Sequence, residues 1–465
     1  MNTQSYRSAL LAMTALFFLW GFVASANHVL IPACKSLFKL NQTYSMAVDL
    51  AFYLAYGLGG LAFYISSESG YDIQKRLGAK KSLLSGLFVA SVGALSFLWL
   101  NTFGVEHEGM MGFVVILSSL FVMGLGFSLL QIVANPYLIA LGNEAFSAQR
   151  VNLAGAMNSL GTTLGPLLMG FAFFRWLGKD SVEGIAFSYG LVGIFFLFIT
   201  FLFSRISLPD TEQMHKDGGG GPLLASASFV LGLPVLFIYV GTEVTLSSNL
   251  PMLLESSLFL GLPASETVSY TSLYWGSLMM GRWMGAVQVL PLSVGLRKWV
   301  KWVAPYLAFL LVLGFMWTNE SSRLPEHWEY YPVCMAVFLL IPYYLGQEKP
   351  GRTLFLLSLS GACSVLMGLW VKGPLGALLV VSSGLACSVM WSCIFSIAIR
   401  GLGSSSARGS ALLIVMITGG AVIPVLQGRI SDVFDAGTGY WVPVIGFILM
   451  AGYPLWSSRF SKRFF

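Results

Sequence analysis

Charge is scarce in this chain. Of 465 residues only 10% are Asp, Glu, Lys or Arg, against 56% hydrophobic, and the mean hydropathy is +0.77. A soluble protein of this length needs a polar exterior, and too few polar residues are present to build one. The five cysteines, Cys34, Cys334, Cys363, Cys387 and Cys393, have no metal-ligand spacing and read as small buried hydrophobes. Phosphate-cradling loops, HExxH, GxSxG and usefully spaced carboxylate pairs are all missing, which argues against an enzyme, a cofactor or a bound metal. The net charge of +6 is dispersed among connections rather than gathered on one face, so nucleic acid is not the partner; anionic lipid headgroups beside the loops are.

What the chain has in abundance is long apolar runs. They span about 8–31, 45–65, 81–100, 111–140, 152–174, 185–204, 223–254, 268–290, 301–317, 329–346, 353–371, 375–399, 410–430 and 441–458. Each matches the ~20 residues that carry a helix across the hydrocarbon core. The fold class is therefore an all-α polytopic membrane protein, with fourteen spans or, if 301–317 and 329–346 are dropped together, twelve. With the N-terminus inside, eighteen Lys and Arg fall in inner connections and seven in outer ones, with Arg282 inside a span. This bias places both termini in the cytoplasm. The first run has no cleavable signal pattern and reads as a retained helix. LPDTEQMHKDGGGGP, within 207–222, has no apolar face and reads as a cytoplasmic linker between residues 1–206 and 223–465. Asn41-Gln42-Thr43 matches a glycosylation sequon in an outer connection.

Polar groups inside spans are costly and mark where function is to be sought. Glu243, in FIYVGTEVTLSSNLP, lies deep in the seventh run and is the first candidate for cation coupling; a structural partner to a buried Arg is its bland reading. Asp49 stands near the start of the second run, where it suits the helix dipole as well as a coupling role. His28, next to Asn27, can accept a hydrogen bond or a proton. Gln131 and Asn135 lie four apart and share a helix face, and Asn158 adds a further amide. Such groups suit the hydroxyls of a sugar, although interhelical hydrogen bonding explains them equally. Trp20, Tyr53, Tyr56, Tyr239, Trp275 and Trp391 could stack on a pyranose face. Gly161-x-x-x-Gly165 and Gly281-x-x-x-Gly285 have the spacing of close helix contacts. With no ATP site, movement of a solute would be passive or driven by an ion gradient.

Several segments carry a resemblance. FFLWGFVASANHVLIP, LAFYLAYGLGG, GLGFSLLQIVANPYLIALG, RVNLAGAMNSLG, YVGTEVTLSS, MWSCIFSIAIRGLG and GSALLIVMITGGAVIPVLQGRISD look like the fucose permease and glucose/galactose permease family. The resemblance implies a major facilitator fold of two pseudo-symmetric six-helix halves around a central cavity. It also implies rocker-switch import of a hexose, deoxyhexose or amino sugar with a cation, in the inner membrane of a bacterium. A monomer that binds sugar at Asn27, His28, Gln131, Asn135, Asn158, Tyr53, Trp275 and Trp391, with Glu243, Asp49 and His28 handling a proton, is the expectation. The alternatives are a sodium-coupled or uncoupled sugar or polyol carrier, and a carrier of another solute such as a nucleoside or organic anion. The sequence departs from the family where fucose permease has Asp in helix 1, here His28, and Glu in helix 4, here Gln131. Ser392-Cys393 replaces a frequent Pro-Thr pair, and 291–351 looks like an inserted helix pair.

Overall fold

The computed structural model describes residues 3–68, 73–103, 110–141, 147–171, 181–206, 208, 226–287, 292–318, 324–347, 349–399, 402 and 406–460. Among them every regular element is helical. We number the rods α1 (Thr3–Leu37), α2 (Ala47–Glu68), α3 (Ile73–Leu95), α4 (Met110–Ala140), α5 (Ser147–Phe171), α6 (Val182–Arg205), α7 (Ala227–Ser248) and α8 (Ala264–Ala286). They continue with α9 (Val294–Thr318), α10 (331–346), α11 (Pro350–Val371), α12 (373–399), α13 (406–433) and α14 (Trp441–Phe460). Save for Leu208, the expected linker 207–222 lies outside the described residues.

Eleven described helical stretches are long and apolar enough to cross a bilayer. The runs expected at 152–174, 268–290 and 329–346 are not among them, for two reasons. The first two form α5 and α8, whose polar residues face inward rather than to lipid. The third forms α10, which covers only 331–346, shorter than the ~20 residues of a spanning helix, and contains a π turn at Ala336–Leu340. The run expected at 301–317 is longer than its apolar stretch, because α9 begins at Val294 and takes Arg297, Lys298 and Lys301 into its first turns.

Outward-facing positions are apolar, as with Phe195, Phe198 and Phe201 on α6, so the exterior suits lipid rather than water. Hydroxyls inside the helices are mostly satisfied by their own preceding turn: Thr200 donates to the Phe196 carbonyl at 2.7 Å and Ser358 to the Leu354 carbonyl at 2.7 Å. Four of the cysteines are buried as expected; Cys363 is exposed on α11 and departs from that expectation.

Packing repeats between the two ends of the chain. In the first six helices α1 lies on α5, α2 on α4, and α3 on both α4 and α6. In the remainder α7 lies on α13, α8 on α12, and α11 on both α12 and α14. Helices α9 and α10 stand outside this correspondence; α9 packs on α8, and α10 on α11. The two sets meet along two seams, α5 against α8 and α2 against α13. Gly161 and Gly165 bring α5 onto the backbone of α1, where a Cβ at either would strike the Phe18 or Phe22 carbonyl. Gly281 similarly fits against Ser388, whereas Gly285 meets only Val389 at 3.8 Å and opens onto a cavity instead of sealing a contact.

Candidate binding cavity and its seal

Between the two sets of helices lies a cavity of about 450 Å³, within the ~300–1,000 Å³ range of small-molecule sites. One wall is supplied by Trp20, Tyr53, Tyr56, Gln131, Asn158 and Thr162 from the first set. The other presents Glu243, Trp275, Arg282, Ser388, Trp391 and Ser396. Five of the six aromatics expected to be able to stack on a pyranose therefore line it. Tyr239 does not; it is fully buried and donates to the Cys387 carbonyl at 3.0 Å.

The charges are concentrated in one pair. Arg282 Nη2 lies 3.4 Å from Glu243 Oε1, with side chains 21% and 12% exposed to the cavity. Helices α7 and α8 place them there, and the guanidinium continues across the seam. Its Nη1 donates to Ser159 Oγ at 3.0 Å and Asn158 Oδ1 at 3.4 Å on α5. Asn158 Nδ2 in turn donates to the Phe17 carbonyl at 3.0 Å, so this amide serves both as glue to α1 and as an acceptor across the seam. Gln131 is buried on α4 in the cavity wall. Asn135 lies within α4, but its side chain falls outside the described part.

His28, Asn27 and Asp49 are fully buried and stand apart from the cavity wall. Asn27 accepts from the Tyr189 hydroxyl at 2.9 Å, a link within the first set. His28 is stacked on Trp275 with ring centroids 5.3 Å apart and planes at 5°. Its Nδ1 accepts from Trp275 Nε1 at 3.1 Å, which in a neutral imidazole leaves the proton on Nε2. Nε2 points toward Asp49 Oδ1, 3.7 Å away. The other carboxylate oxygen, Oδ2, accepts from Ser248 on α7. Two residues of the first set are thus tied to two of the second, on the far side of Trp275 from the cavity.

Further contacts close the same end. Gln42 Nε2 donates to Asn249 Oδ1 at 3.1 Å, and Asn249 Nδ2 reaches Thr245 Oγ1 at 3.1 Å. The Asp432 carboxylate, at the end of α13, accepts from the backbone amides of Gln42 and Thr43 at 2.8 and 2.7 Å, and from the Thr43 hydroxyl. The sequon residue Asn41 uses its side chain to cap this turn, accepting from the Tyr44 amide at 2.8 Å. The cavity extends the other way, toward Tyr343, Pro350 and Thr353, at the face where Lys349 and Arg352 lie. Sequence reasoning missed Asp432, Asn249 and Gln42 as a seal; a carboxylate at the end of an apolar run, opposite a polar turn, was the signal available.

Among the described residues no three His, Cys, Asp or Glu side chains converge as a metal site. No family model matches the chain. A glucose/galactose transporter of Brucella abortus is 28% identical, over 98% of this chain and 96% of that protein. The L-fucose-proton symporter of Escherichia coli is 22% identical, over 93% of this chain and 88% of its own length. Among solved structures, FucP, a major facilitator superfamily transporter in the outward conformation, matches with a TM-score of 0.63 at 19% identity. That match covers 98% of this chain and 99% of that one. The fold is that of a major facilitator, in a multi-pass membrane protein.

Proposed function

We infer that this chain, a relative of bacterial sugar transporters over nearly its whole length, imports a monosaccharide together with a proton by rocker-switch alternating access. The observation that carries the reading is the cavity itself. It is shared by two helix sets, closed at one end by contacts that join those sets, and walled by amides, hydroxyls and aromatics around the Arg282–Glu243 ion pair. Sugars are recognised by donors and acceptors around hydroxyls and by flat faces on apolar ring surfaces, and both are present.

In this reading residues 1–206 and 223–465 are the two halves, joined by a cytoplasmic linker at 207–222. Helices α9 and α10, within 291–351, are an inserted pair beside a twelve-helix core. The repeated packing supports this, because the correspondence between the halves requires that α9 and α10 be left out. The bias of basic residues supports both termini in the cytoplasm, and the bacterial relatives support an inner-membrane protein. The protein works as a monomeric carrier, without catalysis of a covalent step.

A hexose, deoxyhexose or amino sugar is held by Gln131, Asn158, Tyr53, Trp275 and Trp391. Protonation of Glu243 removes its hold on Arg282 and discharges a carboxylate whose burial opposes occlusion. His28 and Asp49 serve at the seal. Tilting the halves apart there breaks the bonds Trp275–His28, Ser248–Asp49, Gln42–Asn249 and Asp432–Gln42. Each is worth about 1 kcal/mol net, so the set is comparable with the few kcal/mol that separate interconverting states.

The test is uptake into proteoliposomes. A monosaccharide should accumulate against its gradient when the outside is made acidic, with alkalinisation of the medium on sugar addition. An imposed sodium gradient should leave the rate unchanged. Accumulation that follows sodium, or equilibration with no proton movement, would contradict the reading.

A further inference from the structure

Beside the inserted pair is a second hollow, of about 660 Å³, that the transport reading does not use. It is formed where the beginning of α9 meets the end of α10. Arg297, Lys298 and Lys301 line it together with Trp302, Tyr343 and Tyr344. Lys301 Nζ sits 4.7 Å from the centroid of the Tyr343 ring and 5.8 Å from that of Trp302. The Trp302 and Tyr344 rings lie 6.1 Å apart and hold the two helices together at this point.

Three features mark this hollow as an anion site. Its surroundings are strongly positive: in 292–302 and 343–352 the sequence has five basic residues, Arg297, Lys298, Lys301, Lys349 and Arg352, and one acid, Glu348, leaving +4. The cations of α9 stand in its first turns, with no acid in the opening turn, so they add to the positive end of the helix dipole rather than offset it. Both the cations and the dipole favour negative charge placed there. Finally, the hollow opens beside apolar side chains that have no protein cover. On α9 these are Leu296, Trp299, Val303, Leu307 and Leu310, spaced by three or four residues along one face and 43–74% exposed. On α10, Ile341, Tyr344 and Leu345 are likewise 53–68% exposed.

The geometry points to a binding site for an anionic phospholipid of the cytoplasmic leaflet, its phosphate among Arg297, Lys298 and Lys301 and its acyl chains along the exposed stripe of α9. Guanidinium and ammonium groups at the end of a membrane helix pair suit a phosphodiester, and Trp and Tyr suit the interfacial level at which that headgroup lies. A soluble phosphate would use the cations but not the stripe. The inserted pair rests on α8 and α11, so a lipid bound here would hold it to the core from the outside.

The experiment uses the full-length protein in detergent, with phosphatidylglycerol, phosphatidylcholine and glycerol 3-phosphate as probes. Retained lipid is counted by native mass spectrometry, and the melting temperature is followed in parallel. Phosphatidylglycerol should be retained and raise the melting temperature, while the other two probes do neither. R297Q/K298Q/K301Q should bind phosphatidylglycerol at least about ten-fold more weakly, and K298Q, at an exposed position, about two- to five-fold more weakly. K80Q/K81Q, which removes two basic residues elsewhere on the same face, should retain wild-type binding. K298Q keeps the test decisive should the triple variant not fold. Equal retention of phosphatidylcholine, an equal response to glycerol 3-phosphate, or an equal loss in K80Q/K81Q would overturn the proposal.

Discussion

Removing either partner of the Arg282–Glu243 pair should destabilise the protein, and by unequal amounts. Breaking a buried ion pair from one side costs ~3–5 kcal/mol, because the surviving charge is left without compensation. Here the side chains are 21% and 12% exposed to the cavity rather than fully enclosed, so a discount to about 2 kcal/mol is appropriate. A lone carboxyl can take up a proton and shed its charge; a guanidinium cannot. Among the described residues, Arg282 without Glu243 keeps the neutral acceptors Ser159 and Asn158, at 3.0 and 3.4 Å. E243Q should therefore lower the melting temperature more than R282Q. The double variant E243Q/R282Q should recover most of the loss, since neither charge then remains. The assay is thermal unfolding of the four detergent-purified proteins at one pH, without sugar. If the double variant loses the sum of the two single losses, the pair does not act as a unit and the electrostatic account of the cavity is wrong.

Other expectations follow from the same geometry. E243Q should abolish uphill sugar uptake while sparing counterflow across the membrane, measured in proteoliposomes; accumulation at the wild-type level would remove Glu243 from the coupling step. H28A and D49N should each loosen the seal by about 1 kcal/mol, a shift of roughly five-fold in favour of the state open at that end. The distance between spin labels at the exposed Tyr44 and Phe434, on that end, reports it, and unchanged distances in both variants would contradict the role. G161L should prevent α5 from approaching α1 and cost ~3 kcal/mol, the upper end for an overpacked contact because the clash is with backbone, seen as loss of monodisperse protein on size exclusion. G285A, at a position open to the cavity, should leave folding intact in the same measurement.

Apolar runs of spanning length are a one-dimensional property, so the helices and their connections could be read directly from the sequence. Even there the polar helices α5 and α8 behave differently, because their Ser, Thr, Asn and Arg residues face other helices and the cavity. The pairing of Glu243 with Arg282 could not be read. They are 39 residues apart on adjacent helices, and no periodicity specifies which faces two separate rods turn to one another. The same holds for His28 and Trp275, 247 residues apart, whose stacking depends on how the two halves dock. Local spacing did foretell Gly161 and Gly165 as a close contact, but it gave the identical signature for Gly285, which faces open space. A pattern can state that close approach is permitted; only the partner helix determines whether it occurs.

The claim beneath all of this is that the two halves move about the cavity, opening one end as the other closes. Pairs of spin labels at Tyr44 and Phe434, on the sealed end, and at Leu77 and Trp456, on the other, test it by pulsed dipolar distance measurement in lipid. Lowering the pH and adding a transported sugar should lengthen the first distance and shorten the second within the same protein population. Distances that stay single and unchanged at both ends would show a fixed bundle and contradict the account.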